Sequence, residues 1–127
     1  MELAIQKIAI LALLTIGLSH IIQHKVWAAL FLDWKAKGEV GAFYTGLLHF
    51  MFGLLVVGFH NVWTGIPAVL TVLGWGWILK GFLYLAYPKH GVRMLNRLQP
   101  ERSWEYIIPG VIMVVYAIAL TYHIFKQ

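Results

Sequence analysis

Four separate runs of roughly 20 mostly apolar residues dominate the sequence, and a bilayer core about 30 Å thick needs about that length for each crossing helix. They extend from Leu3 to Ile22, Gly41 to His60, Ile66 to Tyr87 and Glu105 to His123. Composition points the same way. Of 127 residues, 61% are hydrophobic and 12% charged, whereas soluble domains run at about 45–50% and 25%. The expectation is an all-α fold, a bundle of four transmembrane helices forming a single integral membrane domain over residues 1–127. That length leaves no room for a separate soluble catalytic module beside the spans. Lys7 ahead of the first run invites a signal-peptide reading, but Ser19-His20-Ile21-Ile22 supplies no small-x-small cleavage site, so the run reads as a retained helix. The absence of cysteine excludes disulfides, thiolate zinc sites, cysteine-ligated iron–sulfur clusters and cysteine nucleophiles.

The three connections differ in character. Gln23 to Val40 reads as a short amphipathic stretch in the interface, with Trp27 and Trp34, one heptad apart, as headgroup anchors. Asn61 to Gly65 is a tight link, and Pro67 falls in the first turn of the next helix. Pro88 to Ser103 is basic, with Lys89, Arg93 and Arg97 recurring every four residues against Val92, Leu95 and Leu98, a pattern suited to anionic lipid headgroups. The net charge of +5 follows this layout. Lys25, Lys35, Lys37, Lys89, Arg93, Arg97 and Arg102 fall on the side of the two long connections, and only Lys7 and Lys126 fall toward the other. By the positive-inside rule the long connections are cytoplasmic and both termini lie outside the cytoplasm, as for a protein of the bacterial inner membrane. No basic patch is left over for nucleic acid.

Glycines organise the second and third spans. Gly46 and Gly53 lie one heptad apart on one stripe, and so do Gly74 and Gly81 on another. The short link makes these spans antiparallel neighbours. If His60 and Pro67 sit at equal depth, positions whose numbers sum to 127 face each other, which pairs Gly53 with Gly74 and Gly46 with Gly81. Small residues permit close approach in lipid, so the expectation is a tight glycine-packed hairpin. The same register sets His49 beside Trp77 and Ile78.

Ionisable side chains inside a span are costly and raise a functional question. His49 and His60 lie eleven residues apart on nearly one face, about 16 Å along the axis, and His49 sits roughly 12 Å in from Gly41. His60 and His123 end their spans at matched depth. They are candidates for a proton relay, a weak metal site or the axial ligands of a b-type haem, against a plain reading as interfacial histidines in contact with water. His20 and His24, at i and i+4, have a metal-like spacing without a third ligand nearby. Lys80 either snorkels toward the cytoplasmic surface or marks an anion or proton site. Glu2, Asp33, Glu39, Glu101 and Glu105 all lie at ends or in connections, which weakens any cation-coupled mechanism needing an intramembrane carboxylate.

The run His60-Asn61-Val62-Trp63, followed by Gly74-Trp75, Lys80-Gly81 and Pro88, resembles small, uncharacterised bacterial polytopic membrane proteins. The resemblance covers only the second and third spans and implies no activity. No Gly-rich phosphate loop, nucleophile elbow or HExxH helix occurs, so no catalytic residue or resident metal is expected and the chain does not read as an enzyme. The functional expectation is an oligomeric channel or transporter for protons, ions or a small solute, with His49, His60, Lys80 and His123 as pathway or ligand-binding candidates. The first alternative is an accessory or scaffolding subunit of a larger membrane complex, so the partner is a second copy or another membrane protein. The second is a b-type haem electron carrier.

Overall fold

A computed structural model describes all 127 residues as an all-helical protein. Its helices are α1 (Glu2–Ile22), α2 (His24–Ala36), α3 (Glu39–Phe59), α4 (Ala68–Ala86), α5 (Pro88–Leu95) and α6 (Ile107–Lys126). A 3₁₀ segment, Pro100–Tyr106, leads into α6. The four long helices, α1, α3, α4 and α6 with the segment before it, are each long and apolar enough to cross a membrane. Their outward faces carry side chains such as Leu11, Leu47, Val72 and Ile112, which water would penalise and lipid accepts.

The long helices associate as two antiparallel pairs. In the α3/α4 hairpin, a Cβ added to Gly53 would stand 2.8 Å from the Gly74 carbonyl oxygen and 2.7 Å from the Ile78 nitrogen. One added to Gly81 would stand 2.8 Å from the Gly46 oxygen and 2.7 Å from the Phe50 nitrogen. Backbone therefore lies against backbone, which only glycine allows. The contacts of these glycines follow sums between 127 and 131, so the expected pairs face each other with their side-chain neighbours displaced by up to one helical turn.

The second pair, α1 and α6, closes on a glycine pair that the sequence reading left unused. A Cβ on Gly17 would lie 2.9 Å from the Gly110 oxygen, and one on Gly110 would lie 2.7 Å from the Gly17 oxygen. Ala117, fully buried beside Leu120 on α6, continues that seam. The pairs join at the end that holds both chain termini, where Ile5, Ala9 and Leu13 of α1 pack with Val56 of α3, Leu70 of α4 and Ala117 and Leu120 of α6. At the opposite end α2, α5 and the 3₁₀ segment form a floor, in which Ala42, Tyr84 and Leu95 are buried under Phe31, Val92, Met94 and Leu98.

Chain breaks set these directions. Gln23, at φ −113° and ψ 37°, ends α1 one residue before α2 begins. Gly38 adopts φ +62°, a left-handed conformation that suits glycine, and a side chain on Gly41 would overlap the Trp34 carbonyl. These two glycines let α3 leave α2 through a corner of two residues. Gly65, at φ +69°, turns the chain within the longer link before α4.

Three local expectations change. His20 and His24 do not share a helix face, because the break at Gln23 puts one at the end of α1 and the other at the start of α2. Trp27 is not simply a headgroup anchor: it turns inward, stacks on His20 with ring centroids 4.1 Å apart, and donates its Nε1–H to Ser19 Oγ at 2.9 Å. The four-residue basic repeat is interrupted, since α5 stops at Leu95 and Arg97 lies beyond it. Lys89, Arg93 and Arg97 are nonetheless all exposed, while Val92, Leu95 and Leu98 turn into the floor.

Candidate functional site

The expected polar residues do not line one path. His60 follows the last residue of α3, where the backbone becomes extended, and is only 2% exposed. Its surroundings fix its tautomer. The Thr71 hydroxyl has one proton, which it donates to the Val62 carbonyl at 2.7 Å. Its lone pairs accept the Val62 N–H at 3.2 Å and His60 Nδ1–H at 2.9 Å. Nε2 of His60 is then an acceptor, and the side-chain amide of Gln6 on α1 donates to it at 3.2 Å. Thr71 and His60 together tie the α3–α4 link to α1, which makes this residue a buried clamp rather than a water-facing histidine. With both ring nitrogens engaged, it does not fit an axial haem ligand. His123, the other member of the proposed pair, meets Gln127, the residue that follows its own helix, at 2.9 Å.

Lys80 is exposed on the flank of α4, its Nζ 5.6 Å from the Tyr84 ring centroid. This position matches a stem running along the helix toward the floor. Gly46, Gly53, Gly74 and Gly81 serve the hairpin seam described above.

His49 is different. Its Nδ1 lies 2.8 Å from the Thr45 carbonyl oxygen one turn earlier on α3. A carbonyl only accepts, so Nδ1 carries the proton, and in the neutral ring Nε2 keeps an open lone pair. His20 repeats the arrangement on α1, with Nδ1 2.9 Å from the Ile16 oxygen. Neither Nε2 has a hydrogen-bond partner within the protein. No fully buried side-chain nitrogen or oxygen lacks a partner anywhere in the chain, so these two open acceptors retain access to space.

Both histidines line a slot between α1 and α3, about 270 Å³ in volume. Along α1 it is lined by Ile5, Ile8, Ala9, Ala12, Leu13, Ile16 and His20, and along α3 by Leu48, His49, Phe52, Leu55 and Val56. Leu70 and Trp77 of α4, Met113 of α6, and Trp27 and Phe31 of α2 complete it. It exists because α1 and α3 belong to different glycine pairs: each is drawn toward its own partner, and between them they touch at few points. Fifteen of the seventeen lining residues are hydrophobic, and the other two are His20 and His49. Ile8, Phe52 and Leu55 line the slot yet are about half exposed, so its mouth opens sideways, toward lipid in a membrane.

The sequence reading foresaw His49 at depth beside Trp77, and both line the slot. It missed His20 as a partner for His49. The signal was present in the stripe Ile5, Ala9, Ala12, Ile16, His20, which keeps one face of α1 apolar and ends it on a histidine. What hid the connection is that α1 and α3 are not sequence neighbours through a tight turn. Comparison with protein-family models, with curated proteins and with solved structures finds no match.

Proposed function

We propose that this chain is a small integral protein of the bacterial inner membrane, with both termini outside the cytoplasm, that draws a small lipophilic solute sideways from the bilayer and holds or carries it in the slot between α1 and α3. The observation that carries this reading is the slot itself: apolar, open toward the lipid-facing side, and extending from Ile5 to His20, about 22 Å along α1 at 1.5 Å per residue. Its volume falls near the lower bound of about 300 Å³ for small-molecule sites. Within the transport class, a solute drawn from lipid suits this geometry better than a proton or ion, because His60 is closed off by Gln6 and Thr71 and does not continue a polar path from His49.

The test compares the purified protein with Ala12→Trp, which fills the slot with an indole. Native mass spectrometry from mild detergent is expected to find one retained apolar molecule per chain, lost in the filled variant. Equal retention by both proteins overturns the reading. So does a proton flux in proteoliposomes that His49→Ala abolishes, which would restore a conduction pathway.

A second reading, an accessory subunit or homo-oligomer, is supported by Gly58 and Gly76. On each, an added Cβ would meet nothing within 4 Å, although glycine is costly in a helix interior without a packing reason. Gly58→Leu with Gly76→Leu is expected to release a copurifying partner or dissociate an oligomer on size exclusion. An unchanged assembly state removes this reading.

A further inference from the structure

We propose that the occupant of the slot is a neutral lipophile bearing a hydroxyl group, held by donation of its O–H to Nε2 of His49 or His20; this rests on the slot being a binding site and names the chemistry it selects. Three observations converge on that class. The first is the tautomer. Trp77, whose indole N–H has no partner in the protein, also lines the slot; both histidine rings commit Nδ1–H to a backbone carbonyl of their own helix, which leaves each with an open acceptor and no free donor. A ligand whose polar group only accepts, such as an ether, an ester or a ketone, gains nothing from the histidines, whereas a hydroxyl satisfies one.

The second is the contrast with His60. The same tautomer occurs there, but Gln6 donates to its Nε2 and Thr71 accepts from its Nδ1, so that histidine is complete within the protein. His20 and His49 have no such donor, although both belong to helices that pack closely elsewhere. A polar acceptor in an apolar chamber is costly unless something pairs with it. A hydroxyl-bearing ligand removes that cost.

The third is charge. No Lys, Arg, Asp or Glu lines the slot, and Lys80 lies outside it. An ionised head, whether carboxylate, phosphate or ammonium, therefore meets no Lys, Arg, Asp or Glu in the lining itself. Trp27 stacked on His20 and Phe52 near Trp77, at 4.1 and 6.4 Å between centroids, give the apolar body flat surfaces at two depths.

The experiment uses the full chain in lipid nanodiscs and photoaffinity probes that share one diazirine-bearing alkyl chain. The heads are a primary alcohol, its methyl ether, the corresponding fatty acid and a phosphatidylcholine carrying that chain. Labelled peptides are read by mass spectrometry. The alcohol is expected to label the α1 and α3 peptides about three- to tenfold more than the ether, the ratio that one net hydrogen bond supplies. His20→Phe, which keeps an aromatic ring against Trp27, combined with His49→Leu should reduce the alcohol to the ether's level, with a thermal melt confirming that the variant is folded. The wild-type alcohol-to-ether ratio needs no variant and stands alone. Equal labelling by alcohol and ether, both lost in Ala12→Trp, overturns the hydroxyl assignment and leaves the slot as a binding site. Stronger labelling by the fatty acid or the phosphatidylcholine overturns it in favour of a charged or bulk lipid. Labelling by every probe that Ala12→Trp does not reduce overturns both this inference and the binding reading.

Discussion

At the residue scale, Thr71 has the highest ratio of consequence to size. One hydroxyl donates once and accepts twice, closing the turn at Val62 and fixing the proton on His60. Thr71→Val preserves the branched shape but leaves His60 Nδ1–H and the Val62 peptide without their partner. At about 1–3 kcal/mol for a buried group left unpaired, the variant should lose at least that much stability in a detergent unfolding titration. Thr71→Ser, which keeps the oxygen, should recover most of it. Equal losses in the two variants would mean that the methyl group, and not the hydrogen-bond node, supports the link. His60 shows why residue type alone misleads: at the end of an apolar run it reads as an interfacial, wet histidine, whereas Thr71 and Gln6, the latter 54 positions earlier, satisfy both its ring nitrogens in a buried setting.

At the scale of elements, glycines act in opposite ways depending on what faces them. Gly53 and Gly81 oppose backbone atoms of the neighbouring helix, which cannot rotate away. Gly53→Val and Gly81→Val should each cost about 1–3 kcal/mol through overpacking, measured by unfolding in mixed micelles. Gly17→Val should act alike on the α1/α6 seam, and its effect should add to that of Gly81→Val because the two seams share no contact. Gly58→Ala and Gly76→Ala meet open space, so they should raise stability by up to about 1 kcal/mol through helix propensity. A destabilised Gly76→Ala would show that the outer face of α4 is packed against something in the assembled protein. The same contrast explains the slot: two tight pairs leave the boundary between them loose.

For the whole molecule, four helices long and apolar enough to cross a membrane would, as four crossings, place both termini on one side and the two long connections, with seven of the ten Lys and Arg residues, on the other. A chain without cysteine is suited to a topology test. A cysteine replacing Gln99 should react with a membrane-impermeant maleimide only after the cytoplasmic face is opened, and one replacing Gln127 should react in intact cells. Reaction of both from the same side would refute the four-span arrangement, and a swapped pattern would reverse the orientation while keeping the spans. The floor of α2, α5 and the 3₁₀ segment belongs to the cytoplasmic side in this reading. Lys35 donates to the Leu98 carbonyl at 2.9 Å and holds two of its parts together.

The amino-acid sequence by itself determined the spans, because hydropathy and length are local quantities, and it determined the α3/α4 pairing, because a short turn fixes the relation of its two arms. Gly53 facing Gly74 follows from a register counted across five residues of link. The pairing of α1 with α6 is different: Gly17 and Gly110 are separated by most of the chain, and no turn geometry relates them. The slot is further removed still. It is a space left between two pairs, and its polar character depends on the direction of two imidazoles set by carbonyls one turn behind each. His49 at depth was legible from its position in the run. That His20 opens onto the same space as His49, while His60 is sealed by Gln6 and Thr71, was decided only when side chains distant in sequence packed at fixed distances.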